Sequence, residues 1–211
     1  MNTKNFFIHT IFIFALSVGS ASASITTYDR AGFGAAVGAV TVQNFDSITV
    51  GTILGTLNGV TYGASNGQPI VTNSYLTTTG SNSLASTSAG FFGSTETATF
   101  TFATPITAFG IDINTFAMLS GDYVGATTNL GNVALSEFDP FPGDSTGQFI
   151  GFTSTTPFTT VTLKGLPDPS NNLYTYTLDT LVYGSAAPEP STLAGLGIGL
   201  SFLGLVMRKR R

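Results

Sequence analysis

The chain has 211 residues, with seven Lys and Arg against eleven Asp and Glu, one His, and neither Cys nor Trp. Without cysteine the fold takes nothing from disulfides. Because the one histidine, His9, lies near the N-terminus, nucleophilic His or Cys chemistry and His-ligated metal sites are excluded from the rest of the chain.

The first segment, residues 1–23, predicts a secretory signal peptide. Lys4 gives a positive start, residues 6–18 are mainly apolar, and Ala21 and Ala23 frame a small-x-small cleavage pattern. The alternative, a retained N-terminal membrane helix, requires a longer apolar run. We therefore expect export through the Sec machinery and cleavage by signal peptidase after Ala23, which leaves Ser24 as the first mature residue.

The body, residues 24–187, is strongly acidic. Five of the seven bases and one of the eleven acids lie outside it, which leaves Arg30 and Lys164 against ten carboxylates, a formal net charge of −8. Nucleic-acid binding requires a basic surface, so this charge excludes nucleic acid as a partner.

Alternating sequences in the body predict β-strands. Residues 96–103 (ETATFTFA) alternate Ala or Phe with Thr, and residues 106–113 (ITAFGIDI) alternate again after Pro105. A period of two is typical of a half-buried strand, and proline favours an interruption. Further strands are expected at residues 147–154, 158–165 and 173–184.

Turn signals complete the expected fold. Asn58-Gly59 favours a tight hairpin turn, Asn66-Gly67 is a second candidate, and a short helical pattern lies near residues 29–37. Many short strands joined by turns predict an all-β fold, a β-sandwich or jelly roll. The Ser and Thr content also occurs in disordered chains, but eighteen Phe residues favour a packed core.

Two acidic groups are candidate calcium sites, since calcium takes oxygen ligands. One comprises Glu137, Asp139 and Asp144 in the stretch SEFDPFPGD, and the other pairs Asp46 with Asp179. Neither has the spacing of an EF-hand loop. The alternative is that these residues are solvated turn residues, where Asp is common.

Enzyme activity is not expected. A glycosidase with two carboxylates is the mechanism that the composition leaves open, but nothing in the sequence pairs two acids for that chemistry. There is also no Trp to form a sugar-binding platform.

The last segment, residues 188–211, predicts a membrane anchor. Residues 191–207 carry no charge, and as a transmembrane helix they would span about 26 Å, close to the ~30 Å hydrocarbon core. A basic cluster then stops transfer and stays cytoplasmic. This cluster comprises Arg208, Lys209, Arg210 and Arg211.

Immediately before this helix lies the tripeptide Pro188-Glu189-Pro190. Tripeptide, helix and basic end, behind an N-terminal signal, resemble the PEP-CTERM sorting signal of Gram-negative bacteria. The resemblance implies processing by an exosortase, a membrane enzyme that recognises the tripeptide. The precursor would be held in the inner membrane before release to the cell surface or extracellular matrix. The alternative is an ordinary C-terminal anchor.

The body resembles β-sandwich domains found in such proteins, at residues 44–52, 57–63, 147–165 and 176–184. This resemblance implies a structural or adhesive component associated with exopolysaccharide and biofilm. A calcium-assisted, lectin-like carbohydrate-binding module is the alternative, and a glycosidase is a third.

Overall fold

The structure is a computed structural model that describes residues 23–87, 89–115, 123–131, 133–139, 147–166 and 174–187. The predicted signal peptide up to residue 22 and the whole predicted sorting segment, residues 188–211, lie outside the described residues.

The described residues form one short helix and thirteen strands, with every strand pairing antiparallel. In chain order these are β1 (Ile25–Tyr28), α1 (Arg30–Ala36), β2 (Val37–Gln43), β3 (Thr56–Leu57), β4 (Val60–Ala64), β5 (Pro69–Thr72), β6 (Ser83–Ser86), β7 (Phe92–Gly93), β8 (Thr97–Asn114), β9 (Val124–Thr128), β10 (Val133–Leu135), β11 (Glu137–Phe138), β12 (Gln148–Gly165) and β13 (Thr175–Ala186). The predicted all-β class is therefore confirmed.

The strands form a branched sheet around the long central pair β8 and β12. The main order is β10-β9-β12-β8-β13-β6-β5. The remaining strands branch from this path, with β1 and β11 on β12, β2 and β7 on β13, β4 on β8, and β3 on β4. The sheet is open, and its long strands supply most of the framework.

β8 and β12 bend sharply and bring their own two halves face to face. The ring centroids of Phe100 and Phe109 lie 5.7 Å apart, although nine residues of straight strand would separate them by about 30 Å. The register of β12 against β8 shifts on both sides of Phe158, where this two-stranded pair, the β8–β12 ribbon, bends. Strands that bend in this way pass from one layer to the other.

The prediction that Pro105 separates two strands was wrong. Pro105 lies at the exposed bend within one continuous strand, β8. Proline cannot donate a ladder hydrogen bond and is tolerated where a strand is locally irregular. The two strands predicted at residues 147–154 and 158–165 are likewise the two halves of β12.

The core fills the space between the two layers. Phe100, Phe109 and Phe152 are fully buried, and Phe109 packs against both of the others. Tyr62 adds an edge contact to Phe100. This aromatic core lies where the two halves of the long strands face each other, within an all-β fold with an open sheet.

The turn predicted at Asn58-Gly59 is confirmed between β3 and β4. Both residues have positive φ, 50° and 79°, as a tight hairpin turn that matches strand twist requires. The second candidate, Asn66-Gly67, also forms a turn, closed by a bridge between Ala64 and Gly67.

The predicted short helix is confirmed as α1, which lies on the outer face of the sheet. Asp29 caps its N-terminus by accepting a hydrogen bond from Gly32 N at 2.6 Å. Phe33 packs over Gly110, where a Cβ would overlap its ring, and beside Gly151, where a Cβ would overlap the Phe149 ring and crowd that of Phe33. These glycines let the helix approach closely and fix the position of its first residue, Arg30.

Candidate functional site

A pair of buried aspartates lies on the outer face of the sheet. Asp112 on β8 and Asp179 on β13 are direct cross-strand partners. Their neighbours Ile111, Ile113 and Leu178 belong to the aromatic core, and side chains alternate along a strand, so both aspartates face the opposite side. The two residues are only 3% and 2% exposed.

Arg30 neutralises one of the two carboxylates. Its Nε and Nη2 donate to Asp112 Oδ1 at 2.8 and 2.6 Å, and its Nη1 donates to Asp139 Oδ1 at 2.6 Å. The guanidinium also lies over the Phe149 ring, 5.3 Å from its centroid. One of the two bases of the acidic body is thus committed to an ion-pair network.

A loop, residues 73–82, joins β5 to β6 and crosses this outer face; we call it the covering loop. The backbone amides of Thr78 and Thr79 donate to Asp179 Oδ2 at 2.9 and 3.0 Å. Thr78 Oγ1 donates to Asp112 Oδ2 at 2.6 Å, and Asn114 Nδ2 donates to the Leu76 carbonyl at 2.8 Å. Through these bonds the covering loop, which leaves the β5–β6 hairpin, contacts first β13 and then β8.

Asp46 holds the other end of the covering loop. Its Oδ1 accepts hydrogen bonds from Ser81 N at 2.8 Å and Asn82 N at 3.1 Å. At Gly80, which has φ of 51°, a Cβ would overlap the Asp46 carboxylate. Asp46 and Asp179, which the sequence pairs as calcium ligands, therefore both bind backbone amides of one loop.

The other predicted calcium group is distributed differently. Asp139 contacts Arg30, Glu137 lies in β11, and Asp144 is outside the described residues. Within the residues that the structure describes, no three or more His, Cys, Asp or Glu side chains form a metal-ligating group.

Burial raises the pKa of both buried aspartates above the ordinary value of 3.8. For Asp112, the charge and hydrogen bonds of Arg30 and the hydroxyl of Thr78 act in the opposite direction. For Asp179, the opposing groups are hydrogen bonds from the covering loop and from the Thr180 backbone. The negative charge of Asp139 adds to the rise in the pKa of Asp112, and that of Asp112 adds to the rise in the pKa of Asp179, because like charges disfavour ionisation.

Sequence reasoning identified Asp179 but missed Asp112, Arg30 and Thr78. A signal for two of them is present in the sequence. Asp112 is a charged residue between Ile111 and Ile113 of an apolar strand, and Arg30 is one of two bases in an acidic body. The position of Thr78 depends on the path of the covering loop, which no local pattern indicates.

Both ends of the folded body meet at the bend of the β8–β12 ribbon. Ser24 exchanges two hydrogen bonds of 3.1 Å with Thr155, which lies in the bend of β12. Ala186 N donates to Thr107 Oγ1 at 2.9 Å, and Ala187 N donates to the carbonyl at the end of α1 at 2.8 Å. Segments that precede Ser24 and follow Ala187 are therefore attached at the same end of the body.

The C-terminal segment follows directly on this all-β body. Residues 186–211 match the family model of the PEP-CTERM protein-sorting motif. The chain carries this sorting motif, which implies an exported protein that an exosortase processes from a precursor anchored at its C-terminus. Among the described residues, no helix has the length and hydropathy of a membrane span.

The solved structures to which this chain is similar include two mutants of CBM29-2, a family 29 carbohydrate binding module. They align with TM-scores of 0.36 and 0.34 and sequence identities of 14% and 13%, each over 72% of this chain and 99% of the other. These TM-scores are below the level that defines a common fold, so we infer neither fold nor ligand from them. The search of curated proteins finds no match.

Proposed function

We propose that this protein is a structural or adhesive component of the cell surface or extracellular matrix, sorted by an exosortase and associated with exopolysaccharide in a biofilm. The observation that carries the proposal is the sorting motif at residues 186–211. The acidic body, with a formal net charge of −8, suits a hydrated matrix and repels anionic surfaces.

The sorting motif supports a precursor held at its C-terminus, which we place in the inner membrane of a Gram-negative bacterium, and the position of the two ends fits such an attachment. A signal peptide before Ser24 and an anchor after Ala187 would emerge from one end of the body, since both residues lie at the ribbon bend. The folded chain could then be held at a membrane without distortion. The backbone hydrogen bond of Ala187 to Ala36 holds the residue that immediately precedes Pro188.

We also propose that the body has no catalytic activity. Its buried carboxylates are engaged in the fold, Asp112 with Arg30 and Asp179 with the covering loop. A paired-carboxylate hydrolase requires two acids that can reach a substrate, whereas these two are 3% and 2% exposed.

Mass spectrometry of the protein recovered from exosortase-containing cells tests the sorting proposal. We expect the mature chain to lack the peptide that ends at Arg211. A variant with Pro188, Glu189 and Pro190 all replaced by Ala should keep that peptide, because the tripeptide is the proposed recognition element. Persistence of the Arg211 peptide in the unmodified protein would contradict processing.

The structural role has its own test. Deleting the gene should reduce the cohesion of the matrix, and the loss should not depend on one particular sugar. Matrix of unchanged strength after deletion would remove the structural role while leaving the sorting route intact.

A carbohydrate-binding module is the second candidate, and one surface feature favours it. Tyr75, in the covering loop, and Phe91 are both partly exposed, with ring centroids 6.5 Å apart in an edge arrangement. Partly exposed aromatic rings offer apolar faces on which a sugar can stack. Glycan-array binding that saturates, is competed by one sugar and is lost in Tyr75→Ala would favour this module, and an array without selective binding would oppose it.

A further inference from the structure

Three buried polar atoms without hydrogen-bond partners lie on one face of the sheet. Among the described residues, four buried side-chain oxygens make no hydrogen bond: Tyr62 Oη, Ser83 Oγ, Thr177 Oγ1 and Asp179 Oδ1. Thr177 and Asp179 flank the core residue Leu178 on β13, so they share its opposite face.

The strand register places Ser83 on the same face, beside Asp179. Leu178 pairs with Leu84 of β6, and the antiparallel ladder therefore brings Ser83 opposite Asp179. Thr72 follows in the same row, as the partner of Ser83 on β5. We call this set the polar layer: Thr72, Ser83, Thr177 and Asp179.

Burial of the polar layer is nearly complete. Ser83 is 0% exposed, Thr177 1% and Asp179 2%. A buried polar group without a partner costs about 1–3 kcal/mol, and a charged group costs more. Three such atoms at neighbouring positions of one face are therefore candidate ligands for a bound group.

The charges indicate the sign of that group. Arg30 balances Asp112, but the ion pairs of the described residues include none to Asp179. Asp179 Oδ2 accepts the amides of Thr78 and Thr79, which favour the ionised carboxylate, whereas burial disfavours it and leaves the charge in need of a partner. Its Oδ1 remains for a cationic partner.

We propose that the polar layer binds one hard cation of the calcium type, with Asp179 as the charged ligand and the hydroxyls of Ser83 and Thr177 beside it. Every candidate donor is oxygen, the ligand type that Ca²⁺ prefers. The covering loop closes the site from the outside. The proposal is independent of sorting and of sugar binding.

Calorimetry and thermal unfolding of the full-length chain in detergent provide the test. After treatment with EDTA and buffer exchange, CaCl₂ should bind with one ion per chain. At about 100-fold excess over Kd, the unfolding midpoint should rise by roughly 5–10 °C. Absence of binding heat together with an unchanged midpoint would overturn the proposal.

Two carboxylate variants separate the site from the loop. Asp179→Asn should abolish the calcium response. Asp46→Asn is the matched control, because Asp46 binds amides of the same loop from its other end and lies outside the polar layer. Equal calcium responses in the two variants would exclude Asp179 as the ligand.

A hydroxyl variant keeps the test decisive even if Asp179→Asn fails to fold. Thr177→Val removes an unpartnered oxygen at nearly constant shape, so the calcium-free protein should be as stable as before or more stable. Calcium affinity should fall about tenfold or more. If Thr177→Val instead raises the midpoint equally with and without calcium, the polar layer holds water or a proton and the cation proposal is wrong.

Discussion

Replacing Arg30 with Gln should destabilise the protein by about 2–3 kcal/mol. The substitution removes two charge-assisted hydrogen bonds to Asp112 Oδ1, of 2.8 and 2.6 Å, and leaves a carboxylate whose side chain is 4% exposed. Breaking a buried ion pair costs roughly 3–5 kcal/mol. Because the Arg30 side chain is 28% exposed, water reaches the site and lowers the expected cost.

Lys164→Gln is the matched control for this substitution. It removes the other positive charge of the body, so both variants change the net charge equally, but Lys164 is exposed. An exposed substitution changes stability by about 0.5 kcal/mol or less. Urea unfolding should therefore separate the two midpoints clearly.

A double variant tests the physical cause. In Arg30→Gln/Asp112→Asn the unpaired charge is gone, so the double variant should be more stable than Arg30→Gln alone, with a coupling energy above about 1 kcal/mol. Equal losses for Arg30→Gln and Lys164→Gln, or additive effects in the double variant, would refute the assigned role of the ion pair.

Two further predictions concern the pH dependence of stability and the glycine contacts beneath α1. The raised pKa values of Asp112 and Asp179 mean that the folded state binds protons more tightly than the unfolded chain. This contribution to stability is complete below pH 3.8 and is lost as pH rises through the raised pKa values. In EDTA, the urea unfolding midpoint should thus be higher near pH 5 than near pH 8, and the difference should be smaller in Asp179→Asn. A midpoint that rises with pH in the unmodified protein would contradict the predicted direction of the pH dependence. Gly110→Ala should destabilise the protein by about 1–3 kcal/mol, because the added Cβ overlaps the Phe33 ring. Gly34→Ala is the control in α1: its Cβ would meet no atom within 4 Å, and alanine should stabilise the helix by about 0.5–1 kcal/mol. Urea midpoints that move in the same direction in both variants would contradict the packing of α1 on the sheet.

Local sequence patterns predicted the three long strands, β8, β12 and β13, but not their path. The alternation of Phe100 and Phe102 with Thr depends only on which face is buried, and it is present in the sequence. The bend at Pro105 depends on contacts such as that between Phe100 and Phe109, which form only when two halves of one strand pack together. A proline at a bend and a proline at a strand end give the same local signal.

The candidate site was predicted in part for a similar reason. The acidic residues are visible in the sequence, but Arg30 meets Asp112 across 82 positions, and Thr78 meets Asp179 across 101. The polar layer depends further on strand register, since a shift of one residue would turn Ser83 and Thr177 into the core. Composition supplied the candidate oxygens, and the fold determined which of them lie together.

The geometry of the chain ends also bears on where the polar layer acts. Asp179 lies seven residues before Ala186 on β13, a separation of about 20 Å along the strand. A precursor held at the end of β13 would thus present the covering loop away from its point of attachment. The hydrogen bonds described for the covering loop all join residues before Pro188, so processing at Pro188-Glu189-Pro190 would remove none of their partners. Cation binding at the polar layer should therefore be the same before and after the tail is removed, and the surface around it should be available to the matrix in both states.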